Sequence, residues 1–143
     1  MQPEIITGGS FTDARGSLFF INDFSFPDVK RFYRINHPDT KVVRAWQGHQ
    51  VEHKYFYVAK GTFVIGWVKI DDWDNPADDL MAEHAILTAD KSCILSVPPG
   101  YANGIKAMEA DAALIIFSNL SAEASANDMW RFEPNRWLNW QQF

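Results

Sequence analysis

The run Tyr55-Phe-Tyr-Val-Ala-Lys-Gly61-Thr-Phe-Val-Ile-Gly-Trp-Val-Lys-Ile70-Asp-Asp-Trp-Asp-Asn-Pro76 decides the fold class. Tyr55 to Val58 is a short aromatic and β-branched segment that runs into the turn Ala59-Lys-Gly61. Thr62 to Ile70 is rich in the residues that suit a pleated, half-buried surface, and it stops at a polar turn closed by Pro76. Outward from this pair the same unit recurs. Ser17 to Asn22 follows the polar turn Thr12-Asp-Ala-Arg-Gly16, and Val29 to Ile35 alternates apolar with basic residues at period two. Lys41 to Trp46, His84 to Thr88 and Ser92 to Val97 follow, then the break Pro98-Pro-Gly100 and the fully apolar Ala112 to Ser118. About eight or nine strands, roughly 8–15 residues apart and separated by Gly and Pro, predict an all-β sandwich or barrel. The tail from Ser121 differs: Ser-Ala-Glu-Ala-Ser-Ala and then Trp130, Trp137 and Trp140 predict a short helical segment and an aromatic strip packed on the barrel or on a second subunit. No internal repeat, low-complexity tract or linker divides the chain, so residues 1–143 are expected to form one domain.

Composition narrows the function classes. The formal net charge is -5 and no basic stripe stands out, which argues against binding a nucleic-acid backbone. A small anionic ligand stays open, because a few placed Arg or Lys can hold a diphosphate inside an acidic protein. The six Trp and eleven Phe exceed what this length needs; a deep core, a subunit interface or a ring-binding cleft would each use them. The single cysteine, Cys93, permits no internal disulfide and reads as a buried strand residue in a reducing compartment. No stretch approaches the ~18 apolar residues of a membrane span, and the N-terminus lacks a basic region followed by an apolar run. The chain is expected to be cytoplasmic, with no membrane partner.

The densest polar cluster is Arg44-Ala-Trp-Gln47-Gly-His49-Gln-Val-Glu52-His53-Lys54. On a strand with period two, Gln47 and His49 share a face. His49, Glu52 and His53 also form a candidate divalent-metal set, since imidazole and carboxylate suit first-row metals. A metal-binding cupin uses two further His, and Gln47 and Asn103 stand at those positions. His37 and His84 read as loop or strand-start residues, His53 as the residue before a strand, and Asn103-Gly104 as a turn.

Five segments in order resemble the dTDP-sugar 3,5-epimerases and 3,4-ketoisomerases. Asp13-Ala-Arg15-Gly16-Ser-Leu-Phe-Phe is similar to their D-x-R-G opening, and Phe26-Pro-Asp-Val-Lys30-Arg31-Phe-Tyr33 to their second strand. Asn36 to Arg44 matches the approach to their R-G-x-H motif, and Lys54 falls where the epimerases keep a lysine before a V-x-G turn. Val97-Pro-Pro-Gly-Tyr-Ala-Asn103-Gly104 is close to I-P-P-G-F-A-H-G. The resemblance implies a cupin jelly roll (a double-stranded β-helix), a nucleotide-sugar ligand, no cofactor or metal, and a homodimer that exchanges N-terminal strands.

Departures from the family pattern fall on the chemistry. The epimerases read R-G-x-H-x-Q and the ketoisomerases R-G-x-H-A-H, whereas this chain has Gln47 first and His49 second. The epimerases' acidic tyrosine aligns with Ile116, and their C-terminal Asp has no alignable counterpart. Removal of a proton next to a ketone needs a base near neutral pKa and a group facing the enolate oxygen. The resemblance then implies His49 as base, Lys54 and Arg44 as electrophilic supports, and Arg15 on the diphosphate unless it only pairs with Asp13. Gln47 and Asn103 would hold sugar hydroxyls, and Tyr33, Tyr55, Tyr57 or Tyr101 would replace the missing acid. Three functions follow: a keto-sugar isomerase or epimerase, a sugar-nucleotide-binding cupin without turnover, and a metal cupin using His49, Glu52 and His53.

Overall fold

A computed structural model describes residues 1–26 and 28–143; Pro27, within the second of the matching segments, lies outside them. Twelve strands follow one another: β1 Glu4–Thr7, β2 Gly9–Asp13, β3 Gly16–Phe20, β4 Arg31–His37, β5 Val43–His49, β6 Lys54–Lys60, β7 Thr62–Lys69, β8 Ala82–Thr88, β9 Cys93–Val97, β10 Tyr101–Ala107, β11 Ala112–Ser118 and, after helix α1 Ala122–Ala126, β12 Trp130–Arg131. They build two antiparallel five-stranded sheets, in the orders β1-β9-β6-β11-β4 and β12-β5-β10-β7-β8, plus the two-stranded hairpin β2-β3. The expected all-β jelly roll with a short C-terminal helix is the architecture observed.

The sheets face each other across a core that includes Phe56, Phe63, Ile65, Leu95, Leu114 and Ile116. Alternation along β7 divides its side chains: Phe63 and Ile65 enter this core, while Val64 and Val68 face the opposite side. That opposite side is covered by the C-terminal segment, with Trp46 and Trp140 both 1% exposed. The two indole N–H groups donate to the same carbonyl, that of Pro134, at 3.0 Å each. The aromatic strip of the tail therefore packs on its own sheet. Ser121 caps α1, its hydroxyl accepting from the Ala124 amide.

Four strands were not legible in sequence. β1, β2 and β12 are only four, five and two residues long, and β10 reads as a turn because it contains Asn103-Gly104. Neither residue has a positive φ. Gly104 is instead a close-approach site: a Cβ there would lie 2.6 Å from both the Ala45 Cβ and the Trp140 ring. Gly61 does serve the β6–β7 turn, at φ +74°.

Candidate active site

A cavity of about 120 Å³ lies between the sheets. Its polar wall is Tyr33, Arg44, Gln47, Lys54 and Asn103, from β4, β5, β6 and β10. Ile35, Phe56, Ile105 and Ile116 complete it with an apolar surface.

Arg44 and Gln47 are three residues apart, so a regular strand would point them to opposite faces. The register resolves this. Asn103 pairs with Gln47 and Ile105 with Arg44, leaving Ala45 and Trp46 opposite Gly104 alone. This bulge on β5 turns both polar side chains to the cavity. Arg44 is further held by its Nε–H, which donates to His37 Nε2 at 3.3 Å. His37 is not the loop residue expected: it ends β4, is 1% exposed, and packs its ring against Phe63. Burial and the neighbouring guanidinium push its pKa below the usual imidazole value.

Lys54 opens β6 facing inward and is 4% exposed, so the alternative of a solvated lysine at the strand edge is corrected. Its ammonium lies 3.9 Å from Glu52 Oε2, and burial lowers its pKa. Glu52 is the residue that sequence reasoning valued only as a metal ligand. Its carboxylate is 0% exposed and accepts from Ser118 Oγ at 2.5 Å, Ser125 Oγ at 3.0 Å and Arg31 at 3.2 Å. Arg31 in turn lies over the Tyr33 ring at 4.7 Å. Burial, and after it the Glu52 charge, push the Tyr33 phenol up to about 12.

His49 is 2% exposed and does not line the cavity. Its Nδ1 lies 2.6 Å from the Asp128 carbonyl and 3.0 Å from Glu52 Oε2. Both neighbours only accept, so Nδ1 carries the hydrogen and Nε2 holds the lone pair. Nε2 is buried without a partner. Burial and then Lys54 lower the His49 pKa, against the opposing pull of Glu52 and Asp128. Asp128 fixes the loop that carries Glu52: its carboxylate accepts the amides of Gln50, Val51 and Glu52 at 2.9, 3.0 and 2.8 Å.

The remaining sequence candidates fall elsewhere. Tyr57 is on the outward face of β6, because Lys54, Phe56 and Val58 take the inward positions, so it is not brought to the cavity. Tyr101 is 9% exposed in the inter-sheet core and borders a different cleft with Trp67, Lys69 and Glu83. Tyr55 packs outside against Phe24, Phe26 and His53. Tyr33 is the one of these tyrosines that lines the cavity. Arg15 sits at the tip of the β2-β3 hairpin, 87% exposed, with its Nη2 and Nε both donating to Asp13 Oδ2 at 2.6 and 3.0 Å. The candidate metal set is split: His53 bonds Ser96 Oγ at 2.7 Å on the outer face, while His49 and Glu52 are buried inside. Among the described residues no group of three His, Cys, Asp or Glu is placed to hold a metal ion. No helix is long and apolar enough to cross a membrane among those residues.

No protein-family model matches the sequence, and no curated protein matches it. Solved structures do. An rmlC epimerase of Mycobacterium tuberculosis superposes with a TM-score of 0.79 at 17% identity, over 96% of this chain and 74% of that one. The chain has the RmlC-type cupin fold. A dTDP sugar isomerase of Desulfovibrio desulfuricans G20 has this fold with a TM-score of 0.76 at 14% identity, covering 99% of this cupin and 92% of that chain. The 3,4-ketoisomerase QdtA of Thermoanaerobacterium thermosaccharolyticum, solved in complex with TDP, gives 0.71 at 22% identity over 92% and 88% of the two chains. Within this cupin fold, Gln47 and Ile116 face the inter-sheet cavity as an amide and an alkyl group, and His49 lies behind it.

Proposed function

We propose that this cupin is an isomerase of nucleotide-linked keto-sugars, acting on a dTDP-4-keto-6-deoxyhexose by epimerisation or ketone migration in surface-polysaccharide precursor synthesis. The observation that carries the reading is the cavity itself, lined by hydrogen-bonding and cationic groups together with alkyl and phenyl groups, within the RmlC-type fold. A deoxysugar has the same mixed character, with hydroxyls and a ketone beside a methyl group. Arg44 stands where a developing enolate oxygen needs a fixed positive charge. Gln47 and Asn103 each offer a donor and an acceptor to sugar hydroxyls. The resemblance gives His49 as the base and Lys54 as an electrophilic support beside Arg44. The chemistry calls on no cofactor.

Arg15 enters this reading through a homodimer. The β2-β3 hairpin exposes Phe11, Leu18 and Phe19 at 58%, 59% and 44%, and an isolated two-stranded hairpin is marginal in water. A second copy that covers it brings the Arg15 guanidinium to the partner's ligand, where it contacts the diphosphate.

Binding without turnover is the second reading, favoured by Ile116 in the cavity and His49 outside it. Proton NMR of dTDP-4-keto-6-deoxyglucose in D₂O separates the two. Loss of a ring C–H signal faster than the blank supports the isomerase, and the carbon affected tells epimerisation from ketone migration. Broadened ligand lines without exchange support the binding protein, and neither effect removes this ligand from both.

A further inference from the structure

We propose that the Lys54 ε-amine is the base that takes the ligand's proton; this rests on the isomerase reading. Elimination within the cavity leads there. Gln47 and Asn103 are amides with no basic nitrogen, Arg44 stays protonated, and the Tyr33 phenol keeps its proton far above neutral pH. His49 is not among the residues that line the cavity. Lys54 is the remaining lining residue with a nitrogen that can accept a proton.

Its surroundings weaken the ammonium relative to a solvated lysine. Lys54 is 4% exposed, and Glu52 Oε2 at 3.9 Å lies beyond hydrogen-bond reach. The Glu52 oxygens are already engaged: Ser118 and Arg31 bond Oε1, and Ser125 bonds Oε2. An ammonium at Nζ would therefore be desolvated without a close acceptor. The charged and titratable neighbours come from every side: Arg31 and Tyr33 on β4, His49 and Arg44 on β5, Glu52 between β5 and β6, and Asp128 after α1. Arg31 opposes protonation, while Glu52 and Asp128 favour it, and desolvation outweighs them.

The step balances without any further reactant. The amine lone pair forms an N–H bond to the proton next to the ketone, and the C–H electrons become the enolate. Its oxygen charge faces Arg44. The resulting ammonium returns the proton, on the face from which it was taken, to the carbon that bore the ketone, while the neighbouring hydroxyl passes its proton to the enolate oxygen; the ketone moves by one carbon and the amine is regenerated.

Hydrogen–deuterium exchange into the keto-sugar is compared for the wild type, Lys54→Met and Lys54→Arg, with circular dichroism checking each fold. Exchange should fall by ~10²-fold or more in both Lys54 variants. Exchange retained by Lys54→Arg, whose side chain stays protonated, overturns the assignment. The ¹⁵Nζ resonance of Lys54 in the ligand-free protein, assigned with Lys54→Arg, gives a readout independent of substrate. An amine signal near neutral pH supports the base, and an ammonium signal up to pH ~9 overturns it. If the wild type exchanges no keto-sugar proton, the isomerase reading falls, and the nitrogen titration alone decides whether Lys54 is a base.

Discussion

His37 and Arg44, seven residues apart on adjacent segments of chain, meet through a hydrogen bond from the guanidinium Nε–H to the imidazole Nε2 at 3.3 Å. The imidazole must be neutral to accept it, and burial with Arg44 nearby depresses its pKa from 6.5. His49 and His53 are depressed in the same direction. A depressed folded-state pKa means that the unfolded chain binds more protons as pH falls below ~6.5, so stability drops from there until the folded pKa is reached. The melting temperature should therefore fall on going from pH 7.5 to pH 5.5, values chosen to bracket ~6.5. His37→Gln, which keeps a side-chain acceptor but does not titrate, should flatten that fall in a calorimetric series.

Gly104 lies where β10 crosses beneath Trp140. Gly104→Ala would bring its Cβ to 2.6 Å from Ala45 and from the indole. Overpacking of this kind costs about 1–3 kcal/mol. Urea unfolding should show that loss, with the tryptophan emission of the native state altered as Trp140 shifts.

Glu52 joins β4, the end of β11 and helix α1 through Arg31, Ser118 and Ser125. Glu52→Ala should destabilise by about 1–3 kcal/mol, because it leaves the buried Ser125 hydroxyl without its acceptor and removes the carboxylate shared by Ser118 and Arg31. Glu52→Gln keeps an acceptor oxygen and should lose less. The difference between the two midpoints in urea checks this.

Arg15 touches only its own hairpin, and its pair with Asp13 is exposed and screened by solvent. Arg15→Ala should leave thermal stability nearly unchanged while weakening dTDP affinity about tenfold or more by calorimetry, since it removes a charged donor from a phosphate. Unchanged affinity would reduce Arg15 to the local pair, and a monomer in sedimentation would remove the second copy that delivers it.

Much of the fold was legible in single residues. The β-branched and aromatic character of Thr62–Lys69 and Ala112–Ser118 has one reading, because no other backbone state suits those residues as well. β10 was not legible. Asn103-Gly104 has the composition of a turn, and only the Trp140 ring above it explains the glycine. Lys54 and Asn103 were named from sequence and line the cavity, whereas Tyr57 was named and faces outward. The register of β6 decides that difference, and register is a property of strand pairs.

The amino-acid order alone determined the strand-rich class, the acidic net charge, the short C-terminal helical segment, and the polar segment from Arg44 to Lys54. These depend on local propensity and composition, which each short segment carries by itself. Tertiary structure decided which members of that segment share a cavity. A bulge opposite Gly104 turned Arg44 and Gln47 to one side. The Asp128 carboxylate, 76 to 78 residues distant in sequence from the amides it binds, folded the loop that sets Glu52 between His49 and Lys54. No local pattern encodes a contact of that span, because its partners become neighbours only once the two sheets have closed on each other.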